Sequence, residues 1–210
     1  MSYIETILCS KGEVILLEEH LHRLKWSLYQ NGAVGVNEIV SNVQLVILKQ
    51  IMQDDNYYKI RLVINLEGEG FDVKAERISI KRPNFGRYKL GWYEEELKPI
   101  GPPWNAKSSQ RKFYKEADSW AAEHGLDDVI ILNENGHVVE TTIFNLFVLK
   151  NNVLYTPPLF DMPVQGAMRT WLLRNSIFPI VEKVMTKEDV IHSELILLTN
   201  AIRGIQIGIL

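Results

Sequence analysis

A turn followed by a strongly β-favouring run occupies residues 133–147, and this run carries one acidic side chain. From Gly136 to Phe147 it reads G-H-V-V-E-T-T-I-F-N-L-F, and the preceding N-E-N is typical of a hairpin turn. Glu140 lies in the middle, among apolar and β-branched neighbours. An ionised carboxylate in such a place is costly unless a cation or a proton-bearing partner holds it. Because a lone glutamate more often ends a strand at the surface, the run alone leaves both interpretations open.

The composition is that of an ordinary soluble globular protein. The 210 residues suffice for one large domain or two small ones, with 46% hydrophobic and 23% charged residues. A net charge of -3 gives no reason to expect a nucleic acid or an anionic membrane as a partner. Cys9 is the single cysteine, so an intrachain disulfide is impossible. Without a signal-peptide pattern or a membrane-spanning run, we expect a cytoplasmic protein.

Apolar periodicity predicts a small α+β unit in the first half of the chain. Leucines recur on one helical face from Leu17 to Leu28, and Gly32 offers a stop. The alternation of apolar and polar residues over 58–66 is that of a half-buried strand. The predicted order is β-β-α-α-β-β, with strands at 3–10, 13–17, 58–66 and 71–80, helices at 18–31 and 37–53, and a further strand at 88–93.

A proline-rich segment, K-P-I-G-P-P-W-N from Lys98 to Asn105, predicts a linker between two domains. We therefore predict a small N-terminal domain over 1–98, a linker over 99–106 and a larger domain over 107–210. In the larger domain, Ser108 or Ser109 could cap a helix closed by Gly125. The other predicted elements are strands at 128–132, 137–140, 143–149, 153–156 and 194–200, a helix at 163–175 with Pro163 near its start, and a short helix opened by the capping box at 186–189.

The familiar catalytic motifs are missing from the sequence. It contains no G-x-G-x-x-G, P-loop, H-E-x-x-H, C-x-x-C or G-x-S-x-G pattern. His20 and His22 point to different sides of a helix, so they suit one metal ion poorly, and no metal site is predicted. What remains is a lysine beside a proline-rich hinge, a buried-looking glutamate and scattered arginines. That set suits an aldehyde cofactor that carries a phosphate.

At this point the chain resembles the class IV, or fold-type IV, pyridoxal-phosphate enzymes, which include branched-chain and D-amino-acid aminotransferases and aminodeoxychorismate lyase. E-T-T-I-F-N-L-F matches the family signature through Glu140 and Asn145. H-L-H-R-L matches its phosphate-arginine motif, and K-S-S-Q-R-K-F-Y-K-E-A lies where its lysine precedes a helix. L-Y-T-P, Q-G-A-M-R and L-L-T-N-A-I-R-G-I-Q complete an ordered set of motifs over most of the chain.

The resemblance implies an α+β fold of type IV, with a small N-terminal α/β domain and a larger, β-barrel-like α/β domain. It implies pyridoxal 5'-phosphate as cofactor and a homodimer. Lys107 would form the Schiff base and carry protons, Glu140 would pair with the pyridine nitrogen, and Arg23 would bind the phosphate. The full set of implied cofactor-binding residues is Arg23, Lys107, Glu140, Val164, Ala167, Met168, Asn200 and Ala201. Each has an ordinary alternative, such as a solvated lysine, an exposed helix arginine, a turn asparagine or a core valine.

Two departures from the family pattern bear on function. The tyrosine that many aminotransferases place shortly after the lysine is replaced by Lys112, and Tyr114 follows two residues later. Thr141 follows Glu140 where aminotransferases often have glycine, which favours the lyase branch.

Three hypotheses therefore arise from the sequence. The first is a lyase similar to aminodeoxychorismate lyase, which releases pyruvate and para-aminobenzoate for folate synthesis. The second is an aminotransferase of the branched-chain or D-amino-acid type. The third is a non-catalytic relative with a shortened N-terminus. Family members usually carry another hairpin and a Y-G-D-G-like segment before their F-E-T strand, whereas this chain begins almost directly at Tyr3-Ile4-Glu5-Thr6.

Overall fold

A computed structural model describes residues 2–53, 55–68, 70–98, 106–109 and 111–210. These residues fold into two compact units. The first comprises the described residues of 1–84 and 106–110, and the second comprises those of 85–105 and 111–210. The linker predicted at 99–106 lies outside the described residues except for Ala106, which is buried in the first core. The domain boundaries drawn from the sequence stay a prediction. Among the described helices, none has the length and apolar composition needed to cross a bilayer.

The first unit is an antiparallel sheet with two helices. The sheet has the order β2-β1-β3-β4. Alternation along β3 buries Tyr58, Ile60, Leu62 and Ile64 in the core, as the sequence predicted. The elements are β1 (Ser2–Ser10), β2 (Glu13–Val14), α1 (Leu17–Gln30), α2 (Val36–Leu48), β3 (Tyr57–Glu67) and β4 (Gly70–Ser79).

The second unit contains a mixed sheet of order β10-β9-β8-β11-β12-β5-β6-β7. The predicted strand at 88–93 is therefore confirmed as β5, which pairs in parallel with β6 and β12. Strands β10 and β12 were not predicted. The elements are β5 (Arg87–Trp92), α3 (Lys112–Glu123), β6 (Asp128–Leu132), β7 (Val138–Thr141), β8 (Asn145–Lys150), β9 (Val153–Thr156), α4 (Ala167–Asn175), β10 (Ile180–Glu182), α5 (Lys187–Ile191), β11 (Leu195–Asn200) and β12 (Gly204–Ile209).

The hairpin of β6 and β7 places Glu140 in the interior of the second unit. Every residue of both strands is buried, as expected for an almost continuous apolar run covered on both faces. Glu140 lies opposite Ile131 in the antiparallel pair. Next to it, the hydroxyl of Thr141 donates a hydrogen bond of 2.7 Å to the buried carboxylate of Asp128. Burial raises the pKa of Asp128, although this bond and those from Thr142 oppose the shift.

Several element boundaries differ from the prediction. Residues 15–17 do not extend β2, because Leu16 adopts a left-handed conformation and α1 begins at Leu17. Helix α2 ends at Leu48 rather than 53. Ser108 and Ser109 do not cap α3, which begins at Lys112, because their backbone pairs with β1 instead. The capping box predicted at 186–189 is confirmed.

Candidate active site

The Glu140 carboxylate is buried, at 4% exposure, and accepts hydrogen bonds from three separate segments. The Tyr114 hydroxyl lies 2.7 Å from Oε1. The side-chain amide of Asn145 lies 3.0 Å from Oε2, and the backbone N–H of Val164 lies 3.1 Å from the same oxygen. Donors that converge on a buried carboxylate favour its ionised form. The strand-end alternative is therefore wrong, since Glu140 is buried and its carboxylate accepts hydrogen bonds.

Asn145 connects this carboxylate to the loop before α4. Its Nδ2 donates to Glu140 and also, at 2.7 Å, to the carbonyl oxygen of Val164. Its Oδ1 lies so close to Gly166 that a Cβ at that position would be 1.9 Å away. The loop is therefore held in an extended form up to Gly166, and α4 begins at Ala167 rather than near Pro163 as predicted.

The N-terminus of α4 fits the proposed phosphate contact. No side chain caps this end among the described residues. Uncapped N–H groups at a helix N-terminus bind anions. Ala167 is buried at the first helical position. Met168 is half-buried and packs on the apolar cluster of Phe147, Leu154 and Leu172, so its backbone is the part suited to an anion.

In the first unit, Arg23 belongs to a buried cluster of charged side chains. Its Nε donates to Glu5 Oε1 at 2.9 Å, and its Nη2 donates to Oε2. The Nδ1 atom of His20 lies 2.6 Å from the same carboxylate. Arg23 is only 5% exposed, so the exposed-arginine alternative is wrong. An arginine has five N–H donors, and Glu5 fixes the guanidinium through two of them.

The charges of this cluster favour the ionised form of Glu5. Burial alone would raise the pKa of Glu5, but the positive charge of Arg23 and the hydrogen bond from His20 outweigh burial and lower it to about 2. Burial lowers the pKa of His20, although the hydrogen bond and the negative charge of Glu5 oppose the shift. The positive charges of Arg23 and Lys107 add to the lowering.

Lys107 lies beside this cluster in the first unit. Its carbonyl oxygen accepts a 2.8 Å hydrogen bond from the backbone N–H of Ile4, the neighbour of Glu5 on β1. Ser108 then pairs with Tyr3 in an antiparallel bridge. Lys107 is half-buried, and its backbone is fixed along β1.

Asn200 and Ala201 lie in the turn between β11 and β12. Asn200 Oδ1 accepts hydrogen bonds from the backbone N–H groups of Ile202 and Arg203, at 3.0 and 2.7 Å. Asn200 therefore stabilises the turn, which is the ordinary alternative given above for this asparagine. Ala201 is half-buried.

The structure thus groups the predicted residues by unit. Arg23 and Lys107 belong to the first, and the others belong to the second. Their roles toward a cofactor stay predictions. The sequence did not assign Glu5, His20 and Tyr114 to the site, although His20 lies in the H-L-H-R-L motif and Tyr114 lies in the motif that begins at Lys107.

Known proteins resemble this chain in sequence and in fold. A Schizosaccharomyces pombe protein named "Putative aminodeoxychorismate lyase" is 29% identical over 204 residues, which cover 95% of this chain and 85% of that one. A Rickettsia bellii protein named "Probable branched-chain-amino-acid aminotransferase" is 28% identical over 179 residues, which cover 77% of this chain and 60% of that one. The crystal structure of an aminotransferase from Brucella abortus bound to PLP superposes with a TM-score of 0.82 at 17% identity, covering 99% and 80% of the two chains.

The last likeness shows the fold, and it confirms the predicted fold class, a mixed α/β fold of type IV. The family model "Amino-transferase class IV" matches residues 2–207, so the chain belongs to the class IV aminotransferase family. Members of this family are pyridoxal-phosphate-dependent enzymes, which confirms the cofactor class and the enzyme class that the resemblance implied.

Proposed function

We propose that this protein is a pyridoxal-phosphate-dependent lyase similar to aminodeoxychorismate lyase, which releases pyruvate and para-aminobenzoate. The observation that carries the choice of lyase is the likeness to the S. pombe protein, which extends over 95% of this chain. A role in folate biosynthesis, a cytoplasmic location and a homodimeric state belong to the same proposal.

The described residues suit the chemical demands of the cofactor. When bound, pyridoxal phosphate supplies an aldehyde that combines with amines and a pyridine ring that accepts electrons. A buried carboxylate that accepts hydrogen bonds from Tyr114, Asn145 and the Val164 backbone fits a protonated ring nitrogen. In this proposal Glu140 keeps that nitrogen protonated.

The remaining roles concern attachment, proton transfer and the phosphate. Lys107 would attach the cofactor and then move the proton at the substrate carbon that bears nitrogen. Its fixed backbone beside β1 supports this role, since a general base must be held in position. Arg23 and the backbone N–H groups of Ala167 and Met168 would bind the phosphate. Val164 would lie against the cofactor, and the turn of Asn200 and Ala201 would add donors to the phosphate.

A class IV aminotransferase is the second candidate. The R. bellii protein, named as a branched-chain aminotransferase, matches 77% of this chain. An aminotransferase must release a keto acid and accept a second substrate, which the lyase reaction does not need.

A paired assay distinguishes these functions. The purified protein with pyridoxal phosphate is offered aminodeoxychorismate, with pyruvate as the readout, and separately a branched-chain or D-amino acid with 2-oxoglutarate, with glutamate as the readout. We expect pyruvate to form and glutamate to be negligible. Lys107→Ala should lower the rate roughly a thousandfold, since it removes a general acid–base group. Lys112→Ala is the matched control, because that side chain is 91% exposed.

Each other result has a defined meaning. Glutamate without pyruvate would replace the lyase proposal with the aminotransferase. Neither product from a protein that binds the cofactor would favour the non-catalytic relative. Equal activity of Lys107→Ala and Lys112→Ala would show that Lys107 is the wrong lysine.

A further inference from the structure

Tyr114 lies in the motif that begins at Lys107, but the family resemblance gives it no role. It lies on α3, seven residues after Lys107 in the sequence, and its hydroxyl is 2.7 Å from Glu140 Oε1. At the earlier position, where many aminotransferases place a tyrosine, the Lys112 side chain is 91% exposed and pairs with Glu116 instead. This chain therefore directs a tyrosine of α3 to the carboxylate.

The surroundings keep the Tyr114 hydroxyl a donor. Burial raises the pKa of Tyr114 well above its ordinary value, and the negative charge of Glu140 adds to the effect. The phenol thus stays protonated at any physiological pH. The guanidinium of Arg111 lies 4.6 Å from the centre of the Tyr114 ring and donates to the carbonyl oxygen of Thr142 at 2.6 Å. These contacts fix the ring against the end of β7.

The hydrogen bonds to Glu140 divide between its two oxygens. Asn145 and the Val164 backbone donate to Oε2, and Tyr114 donates to Oε1. A carboxylate oxygen has two lone pairs, so more than one donor can share it. Removal of a donor from a buried carboxylate destabilises its charged form.

We propose that Tyr114 is a positioning residue for the cofactor, which acts through Glu140 by holding this carboxylate ionised and fixed in orientation. The proposal rests on the proposed function only in its use of the cofactor. It gives Tyr114, to which the resemblance assigns no role, control of how strongly Glu140 binds the ring nitrogen.

A double-mutant cycle tests this proposal through cofactor affinity rather than activity. The dissociation constant of pyridoxal 5'-phosphate is measured by titration of the cofactor-free protein for wild type, Tyr114→Phe, Glu140→Gln and the double variant. We expect Tyr114→Phe to raise the constant roughly tenfold, the effect of one hydrogen bond to a charged group. In the Glu140→Gln background the same change should raise it by about twofold or less, because the charge through which Tyr114 acts is gone.

Tyr93→Phe is the matched control. Tyr93 is a buried tyrosine of the second unit that packs edge-on against Phe113, next to Tyr114 in sequence. We expect it to leave the dissociation constant unchanged in both backgrounds. A second variant carries 3-fluorotyrosine at position 114, which keeps the hydroxyl and makes it a stronger donor. It should leave the constant unchanged or lower it, and it keeps the test available should Tyr114→Phe not fold.

The contrary outcomes are separable. An equal loss of affinity in both backgrounds would overturn the proposal, because Tyr114 would then act independently of Glu140. Normal affinity in Tyr114→Phe would overturn it and leave the proposed function intact, as would weaker binding by the fluorotyrosine variant. If wild type itself did not bind pyridoxal phosphate, the proposed function would fail and this inference with it.

Discussion

Replacing Gly166 with alanine is expected to destabilise the cofactor-free protein by about 3 kcal/mol, since it overpacks a closed site and disrupts hydrogen bonds to a charge. The added Cβ would lie 1.9 Å from Oδ1 of Asn145. The Asn145 side chain cannot move away without releasing Glu140 and the Val164 carbonyl. The free energy of unfolding in urea measures the loss, and weaker binding of pyridoxal phosphate should accompany it.

Gly70→Ala is the control for this substitution. A Cβ at Gly70 would lie 3.5 Å from the carbonyl oxygen of Glu67, an ordinary contact on an exposed strand. We expect a change within about 0.5 kcal/mol there. Equal, small effects at both glycines would show that Asn145 has room to move and does not fix the Glu140 carboxylate.

Glu5→Gln is expected to cost about 3 kcal/mol of stability near neutral pH, because it leaves the buried guanidinium of Arg23 without the opposite charge of Glu5. Glutamine keeps the size of the side chain, so the loss reports the charge rather than a cavity. Glu13→Gln is the matched control, since Glu13 is exposed on the neighbouring strand β2. Its effect should stay within about 0.5 kcal/mol.

The stability difference between wild type and Glu5→Gln is expected to depend on pH, and the pKa of Glu5 fixes the direction. The pKa of Glu5 falls from an ordinary 4.5 to about 2 on folding, so the ionised form is the one that stabilises the fold. The stabilisation is complete above the ordinary value and is lost as the pH falls through about 2. The stability difference between wild type and Glu5→Gln should therefore shrink in acid over this window. A difference that does not change with pH would contradict the assigned ionisation of Glu5.

Local periodicity predicted most elements of the fold correctly. The alternation along β3 and the leucine face of α1 specify which side is buried, because each pattern depends only on near neighbours. The starts of α3 and α4 were wrong for a tertiary reason. The backbone of Ser108 pairs with Tyr3, and that of Val164 binds Glu140, and both partners are distant in sequence.

In the candidate site too, features set by nearby residues could be predicted, and features set by distant contacts could not. The sequence indicated that a carboxylate at Glu140 needs a proton-bearing partner, and the structure supplies Tyr114 and Asn145. Asn145 could be noted in advance because it belongs to the same motif. Tyr114 could not, because α3 and β7 are brought together only by the fold. Glu5 as the partner of Arg23 was missed for the same reason.

The attachment point of the cofactor tests the central claim most directly. The purified protein is incubated with pyridoxal phosphate and treated with borohydride, which makes a link to a lysine permanent, and the digested peptides are identified by mass spectrometry. We predict a single phosphopyridoxyl group, on Lys107. A label on another lysine such as Lys112, or a protein that carries no label, would contradict the account.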